Sequence, residues 1–258
     1  MVNFVEVGHP MIVYRLRRVS FFTTSPIVVL TLILSLQTAG AQGGGSLPSE
    51  LSAGQVFKVG GASVEIPPPT KDMVEYGPDK GHVDSFVPPY NRLVIAFVPL
   101  EDKDVILSID KKAPPRLALV QVPRQYESTI ISADGFKTIT ETVAKQFDSS
   151  VDTYAKENED EFNRRLKLLD LGNPKITFEK PVSLGVLFSE PNAAAFGTVL
   201  EASAGQASVR KALSVIYMRV KDRVLFAYFF VDYKDDGTVQ NLRKTSEQWA
   251  NAILNANQ

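Results

Sequence analysis

The sequence predicts an α+β fold, an antiparallel β-sheet with helices packed on its faces (an α/β/α sandwich), as a single domain after an N-terminal export segment. Three observations carry this. From Ser208 to Val220 the residues Leu213, Val215, Tyr217 and Arg219 alternate with Ser214, Ile216, Met218 and Val220, a period of two whose second face is also largely apolar. After the polar break Lys221-Asp222, the run Arg223 to Tyr233 is apolar on both faces through Val224, Leu225, Phe226, Tyr228, Phe229, Phe230 and Val231. Such a run suits a strand covered on two sides, so it is expected at the centre of the sheet. From Val239 the period changes, and Val239, Leu242, Ser246, Trp249, Ile253 and Leu254 fall on one helical stripe with the only Trp of the chain at its middle. That stripe predicts a helix lying on the sheet.

Residues 1–41 read as a signal peptide. Arg15, Arg17 and Arg18 supply a positive segment, Ile27 to Leu36 is an unbroken apolar run, and Ala39-Gly40-Ala41 supplies the small residues of a cleavage site, so cleavage is expected after Ala41. The alternative is an uncleaved membrane anchor, because counting back to Phe21 lengthens the run towards the roughly 20 residues of a bilayer span. Met11, just ahead of the basic cluster, offers a second start of translation. No cysteine follows the apolar run, which excludes bacterial lipoprotein anchoring. Residues 42–54, rich in Gly, Ser and Pro, are too polar to pack and read as a flexible leader. The domain is expected over 55–258.

Within it, Val56 to Val59 and Ala62 to Ile66 flank Gly60-Gly61, a pair suited to a two-residue hairpin turn. Pro67-Pro68-Pro69 then stops the second strand, since an imide cannot donate to a ladder. Lys71 to Tyr90 reads as a long loop holding His82, and Asn91 to Pro99 as a buried strand. A solvated charge run from Glu101 to Asp104, a short apolar piece from Val105 to Ile109, and a strand from Arg116 to Val122 follow. Ser132 or Asp134 can cap a helix whose stripe runs through Phe136, Ile139, Val143, Phe147, Val151 and Tyr154 and resumes at Phe162, Leu166 and Leu169. Unbroken, that helix would be about 50 Å long, so a break is expected near Asp148-Ser149-Ser150, with a firm end at Gly172-Asn173-Pro174. Val182 to Phe188 and Gly197 to Ala202 read as strands joined through Pro191-Asn192, and Ser203 to Gln206 as the next hairpin link.

Composition excludes several chemistries. The chain has no cysteine, so disulfides, thiol nucleophiles, Cys-ligated zinc and iron-sulfur clusters are all ruled out. Losing Arg15, Arg17, Arg18 and Glu6 with the signal segment leaves 25 basic against 28 acidic side chains, which does not favour nucleic acid. His82 is the one histidine after the signal segment, so any Ser-His-acid triad must pass through it. P-loop and G-x-S-x-G patterns are absent. Asp232-x-x-Asp235-Asp236-Gly237 fails as a calcium loop, with Lys234 at the third position and Arg243 at the twelfth. It reads instead as a turn into a helix capped by Thr238, with two acids near the positive helix end. No catalytic residue, cofactor or metal ligand is expected. Tyr217, Tyr228 and Trp249 are the aromatics that would line a ligand cleft between helix and sheet, although their spacing is that of core residues.

From Val182 onward, the order of a strand pair, two long antiparallel strands and a closing helix with a mid-helix Trp resembles PsbP-like α/β/α sandwich proteins. The likeness rests on Val224 to Tyr233 followed by Leu242 to Leu254, with a starting hairpin that ends in Ile66-Pro67-Pro68. The resemblance implies a non-enzymatic accessory or binding factor of the bacterial envelope. The acidic insert Glu157 to Glu161 and the missing lipoprotein cysteine depart from it. The expectation is an exported, periplasmic or extracellular module with an envelope protein or a small apolar ligand as partner. A hydrolase working with Asp and Glu alone is the alternative, and two close carboxylates, one with a raised pKa, would mark it.

Overall fold

The computed structural model describes residues 54–76, 87–103, 114–168, 176–204 and 207–258. In chain order they form β1 (Gln55–Val59), β2 (Ala62–Ile66), β3 (Met73–Glu75), β4 (Asn91–Pro99), β5 (Arg116–Pro123), α1 (Ala133–Leu168), β6 (Ile176–Phe178), β7 (Val182–Glu190), β8 (Ala193–Ala204), β9 (Ala207–Val220), β10 (Arg223–Asp232) and α2 (Asp236–Ala256). The expected signal segment, His82, Val105 to Ile109 and Gly172-Asn173-Pro174 lie outside the described residues.

β1 and β2 pair as a separate hairpin, and the other strands make one antiparallel sheet in the order β3-β4-β5-β10-β9-β8-β6, with β7 also on β8. The predicted central strand is central, with β10 between β5 and β9. Lys221 and Asp222 make the β9–β10 turn with φ of 46° and 60°, the left-handed pair that matches strand twist in a two-residue hairpin. Gly60 and Gly61 do the same for β1–β2, with φ of 52° and 85°.

Strand alternation divides the core in two. Leu225, Ala227 and Phe229 of β10 and Ile216 and Met218 of β9 face α2, meeting Leu242, Trp249, Ala250 and Ile253. The intervening Val224 and Phe226 of β10 and Tyr217 of β9 face α1, meeting Phe136, Val143 and Phe147. The two helices therefore cover opposite faces, as the doubly apolar strands require. Trp249, 1% exposed, sits edge-on to Phe97 and Phe229, and its indole N–H donates to Pro67 O at 2.8 Å. The proline run thus ends β2 and also supplies the acceptor that a buried indole needs.

Four expectations are corrected. α1 is one helix of 36 residues, about 54 Å long, with no break at Asp148-Ser149-Ser150. None of those three residues removes a backbone donor as proline would. Ser149 Oγ back-bonds to Gln146 O at 2.9 Å, and Asp148 accepts from Ser183 Oγ of β7 at 2.6 Å. Ser132 is the residue whose hydroxyl caps α1, accepting from Gly135 N at 3.1 Å. Asp235, not Thr238, caps α2. Thr238 is the third residue of a capping box in which each side chain accepts from the other's backbone N–H. The long loop from Lys71 contains β3, which pairs with β4, and β6 is a further strand that periodicity missed because three residues are too few to show a period.

Both helices close a strand edge with an asparagine. Asn163 of α1 accepts from Ile176 N at 3.0 Å and donates to Ile176 O at 2.9 Å, while also donating to Glu159 O one turn back. Glu159 itself accepts from Phe178 N at 3.0 Å. Asn257, at the end of α2, accepts from Glu65 N at 2.9 Å and donates to Glu65 O at 2.7 Å and to Ile253 O at 2.8 Å. A carboxamide has the donor and acceptor of a peptide group, so each asparagine stands in for a missing strand on β6 and on β2. Asn257→Ala should lower stability by about 1–3 kcal/mol in urea unfolding, because it strands both backbone groups of Glu65. Asn257→Asp should be no better, since it turns a carboxylate on two carbonyl oxygens. An unchanged midpoint in both variants would show that the clamp contributes nothing.

Candidate functional site

Lys211 is the one fully buried charged side chain among the described residues, 1% exposed. Strand parity places it on the α1 face of β9 in series with Leu213, Val215 and Tyr217. Its Nζ lies 2.5 Å from Asp232 Oδ1 on β10 and donates to Pro114 O at 2.9 Å and Pro115 O at 3.5 Å. An ammonium has three N–H donors, and three oxygens meet this one. A nucleophilic lysine needs an accessible lone pair and room for a carbonyl carbon; Lys211 instead ties the segment before β5 to the two long strands.

Other charges surround it at the same end of the sheet. Arg116, paired in register with Val231, holds Asp72 through an ion pair. Arg210 stacks on the Tyr233 ring, 4.4 Å from its centroid, and lies 3.7 Å from Glu201. Three cations therefore meet three carboxylates. The Arg116 guanidinium lowers the Asp72 carboxyl to about 2, aided by the Thr70 hydroxyl at 2.6 Å, and Asp72 in turn raises Arg116. At the opposite end, Arg92, 2.5 Å from Glu127, holds that carboxyl below its usual range.

The three predicted aromatics do not share a cleft. Tyr217 packs on the α1 side, with Phe196 at 5.7 Å and Phe226 at 4.9 Å between ring centroids. Burial alone pushes its phenol well above the ordinary tyrosine range. Tyr228 is buried on the same face of the neighbouring strand, and Trp249 lies on the opposite face. Within the core, Gln121, Ser214 and Ser246 each keep one polar atom without a hydrogen-bond partner. Gln121 Oε1 accepts from Asn91 Nδ2 at 3.0 Å, which uses half of its carboxamide. Ser214 stands opposite Gly197 on β8, where a Cβ would lie 2.8 Å from Leu187. Ser214 and Ser246 serve close packing: neither hydroxyl has the adjacent base that would make it a nucleophile.

Among the described residues no group of three His, Cys, Asp or Glu side chains could hold a metal ion, and no helix is long and apolar enough to cross a membrane. Sequence reasoning did not find Lys211 or the two asparagine clamps. For Lys211 one signal was present, a lysine in phase with Leu213, Val215 and Tyr217 on one strand face.

No protein-family model matches the chain, and no curated protein does. Among solved structures it is similar to the Ran-binding protein Mog1p of Saccharomyces cerevisiae, at 10% identity over 79% of this chain and 93% of that one, with a TM-score of 0.32. A likeness of that size carries no argument about function.

Two outcomes test the assignment of these charges to structure. Lys211→Met should destabilise the protein by about 3 kcal/mol in denaturant unfolding, by leaving Asp232 and two proline carbonyls without their cation. A variant as stable as the parent would mean the pair contributes no net energy. Because the folded Asp72 carboxyl lies below its ordinary 3.8, its contribution is present above about pH 4 and is lost as pH falls towards 2. Asp72→Asn should flatten that part of the acid unfolding profile by a small amount, since the pair is half exposed.

Proposed function

We propose that this chain is an exported protein of the bacterial envelope, working as a non-catalytic binding or accessory module of PsbP-like type. The observation that supports the reading is that the Asp72 and Glu127 carboxyls are each bound by an arginine. A hydrolase that uses Asp and Glu alone needs one carboxyl raised towards neutrality so that it can donate a proton. Asp72 and Glu127 are both lowered by arginine partners, which fixes them as anions and unfits them for that role. The buried Lys211 is engaged by three oxygens in the same way. Asp72, Glu127 and Lys211 are thereby committed to holding strands together.

Export rests on Arg15, Arg17 and Arg18, the apolar run Ile27 to Leu36 and the small residues Ala39-Gly40-Ala41. Mass spectrometry of the protein from the envelope fraction should find Gln42 as its first residue. A chain that keeps the apolar run and pellets with membranes would replace the free module by an anchored one, and a chain that stays in the cytoplasm would end the export reading.

A further inference from the structure

The two ends of the sheet differ in charge. Around Lys211 each of the cations Lys211, Arg116 and Arg210 has a carboxylate partner, and Glu101 and Asp102 add their field at Arg116, whereas the opposite end gathers Lys58, Arg92, Arg124, Arg219, Lys221 and Arg223 in one contiguous network whose own carboxylates are Glu127 and Asp222. Its cations are satisfied mainly by neutral oxygens. Arg92 donates to Lys58 O, Arg124 to Asn91 O, Arg219 to Ile131 O and Asn192 Oδ1, Lys221 to Ser63 O and Arg223 to Gly60 O. A carbonyl fixes a cation without cancelling its charge, so these six cations outnumber the two carboxylates bound to them by four, in a chain whose formal total is −1. Glu65, Asp134 and Glu190 lie two to three residues along the chain from Ser63, Ile131 and Asn192.

Two of the large apolar side chains that the fold leaves in solvent sit here as well, Ile130 at 71% and Tyr90 at 38% exposure. Next to Ile130, Ile131 donates to Asp222 O at 2.9 Å and accepts from Arg219 Nε at 2.7 Å. Those bonds hold the loop against the β9–β10 turn, whose left-handed Lys221 and Asp222 are both exposed. Left-handed φ in residues other than glycine is a strained conformation that the surrounding contacts must maintain.

We propose that this end is a docking surface for an anionic lipid bilayer, with Ile130 and Tyr90 entering the interfacial layer and Lys58, Arg124 and Lys221 lying against headgroup phosphates. An exposed aliphatic side chain, an exposed tyrosine and a cluster of cations at one end of the sheet are the composition that membrane surfaces recruit. Nucleic acid would use the cations and leave Ile130 without a role. The inference goes beyond the accessory-module reading and stands whether or not residues 1–41 are cleaved.

The absence of cysteine allows a single reporter. The full chain carrying Ile130→Cys, labelled with an environment-sensitive nitrobenzoxadiazole, is mixed with vesicles of phosphatidylcholine alone or of equimolar phosphatidylcholine and phosphatidylglycerol. Asn251→Cys on the exposed side of α2 is the control. Docking predicts a blue shift at position 130 with the anionic vesicles only, no shift at 251, and reversal by high salt. Lys221→Gln, a change at an exposed side chain, should weaken this partitioning about fivefold, with circular dichroism confirming the fold. Vesicle association through the apolar run 27–36 would leave the label at 130 in water. That result, an equal shift with neutral vesicles, or a response to a single-stranded oligonucleotide in place of lipid would overturn the proposal. Failure here leaves the N-terminal mass measurement, and hence the export reading, untouched.

Discussion

Everything in this fold depends on β9 and β10 being apolar on both faces. A strand with a solvated side could sit at an edge or beneath one layer; this pair must be covered twice. Val224 and Phe226 turn to α1 while Leu225, Ala227 and Phe229 turn to α2, so neither helix can be removed without opening a continuous apolar face to water. The Lys221-Asp222 turn keeps that division in register, because a slip of one residue would exchange the two faces.

With two faces covered, the remaining problem is the edges. Backbone groups of β2 and β6 would point away from any strand, and each meets a carboxamide carried by a helix, Asn257 and Asn163 respectively. The shared geometry, a second bond to the carbonyl one helical turn back, fixes each side chain before it reaches across. This also explains how α1 runs beyond the length that a sheet face alone would cover. Its outer part is fastened to the edge strand by Glu159 and Asn163 through backbone hydrogen bonds, so it does not rely on apolar packing alone.

Charge follows the same division of labour. Inside, Lys211 is met by a carboxylate and two carbonyls. At one end of the sheet each cation has a carboxylate partner, and at the other two ion pairs stand among cations held by neutral, mostly backbone, oxygens. Hence an almost neutral chain has polar ends, which its composition could not reveal.

The amino-acid pattern determined what is local and periodic. The limits of β4, β5, β9 and β10, the Gly60-Gly61 and Lys221-Asp222 turns, the central place of β10 and the inward indole of Trp249 all follow from alternation, turn residues and a helical stripe. Those signals act over a few residues and need no knowledge of neighbours. Only the tertiary structure decided that α1 is unbroken, that β3 and β6 are strands, that Asp235 rather than Thr238 caps α2, and that Tyr217 and Trp249 lie on opposite faces. Likewise the partners that Lys211, Asn163 and Asn257 reach on other elements lie 13 to 192 positions away along the chain. Three-residue strands carry no readable period, and a polar side chain's partner is chosen by which backbone groups the sheet leaves open, a quantity that exists only once the strands are side by side.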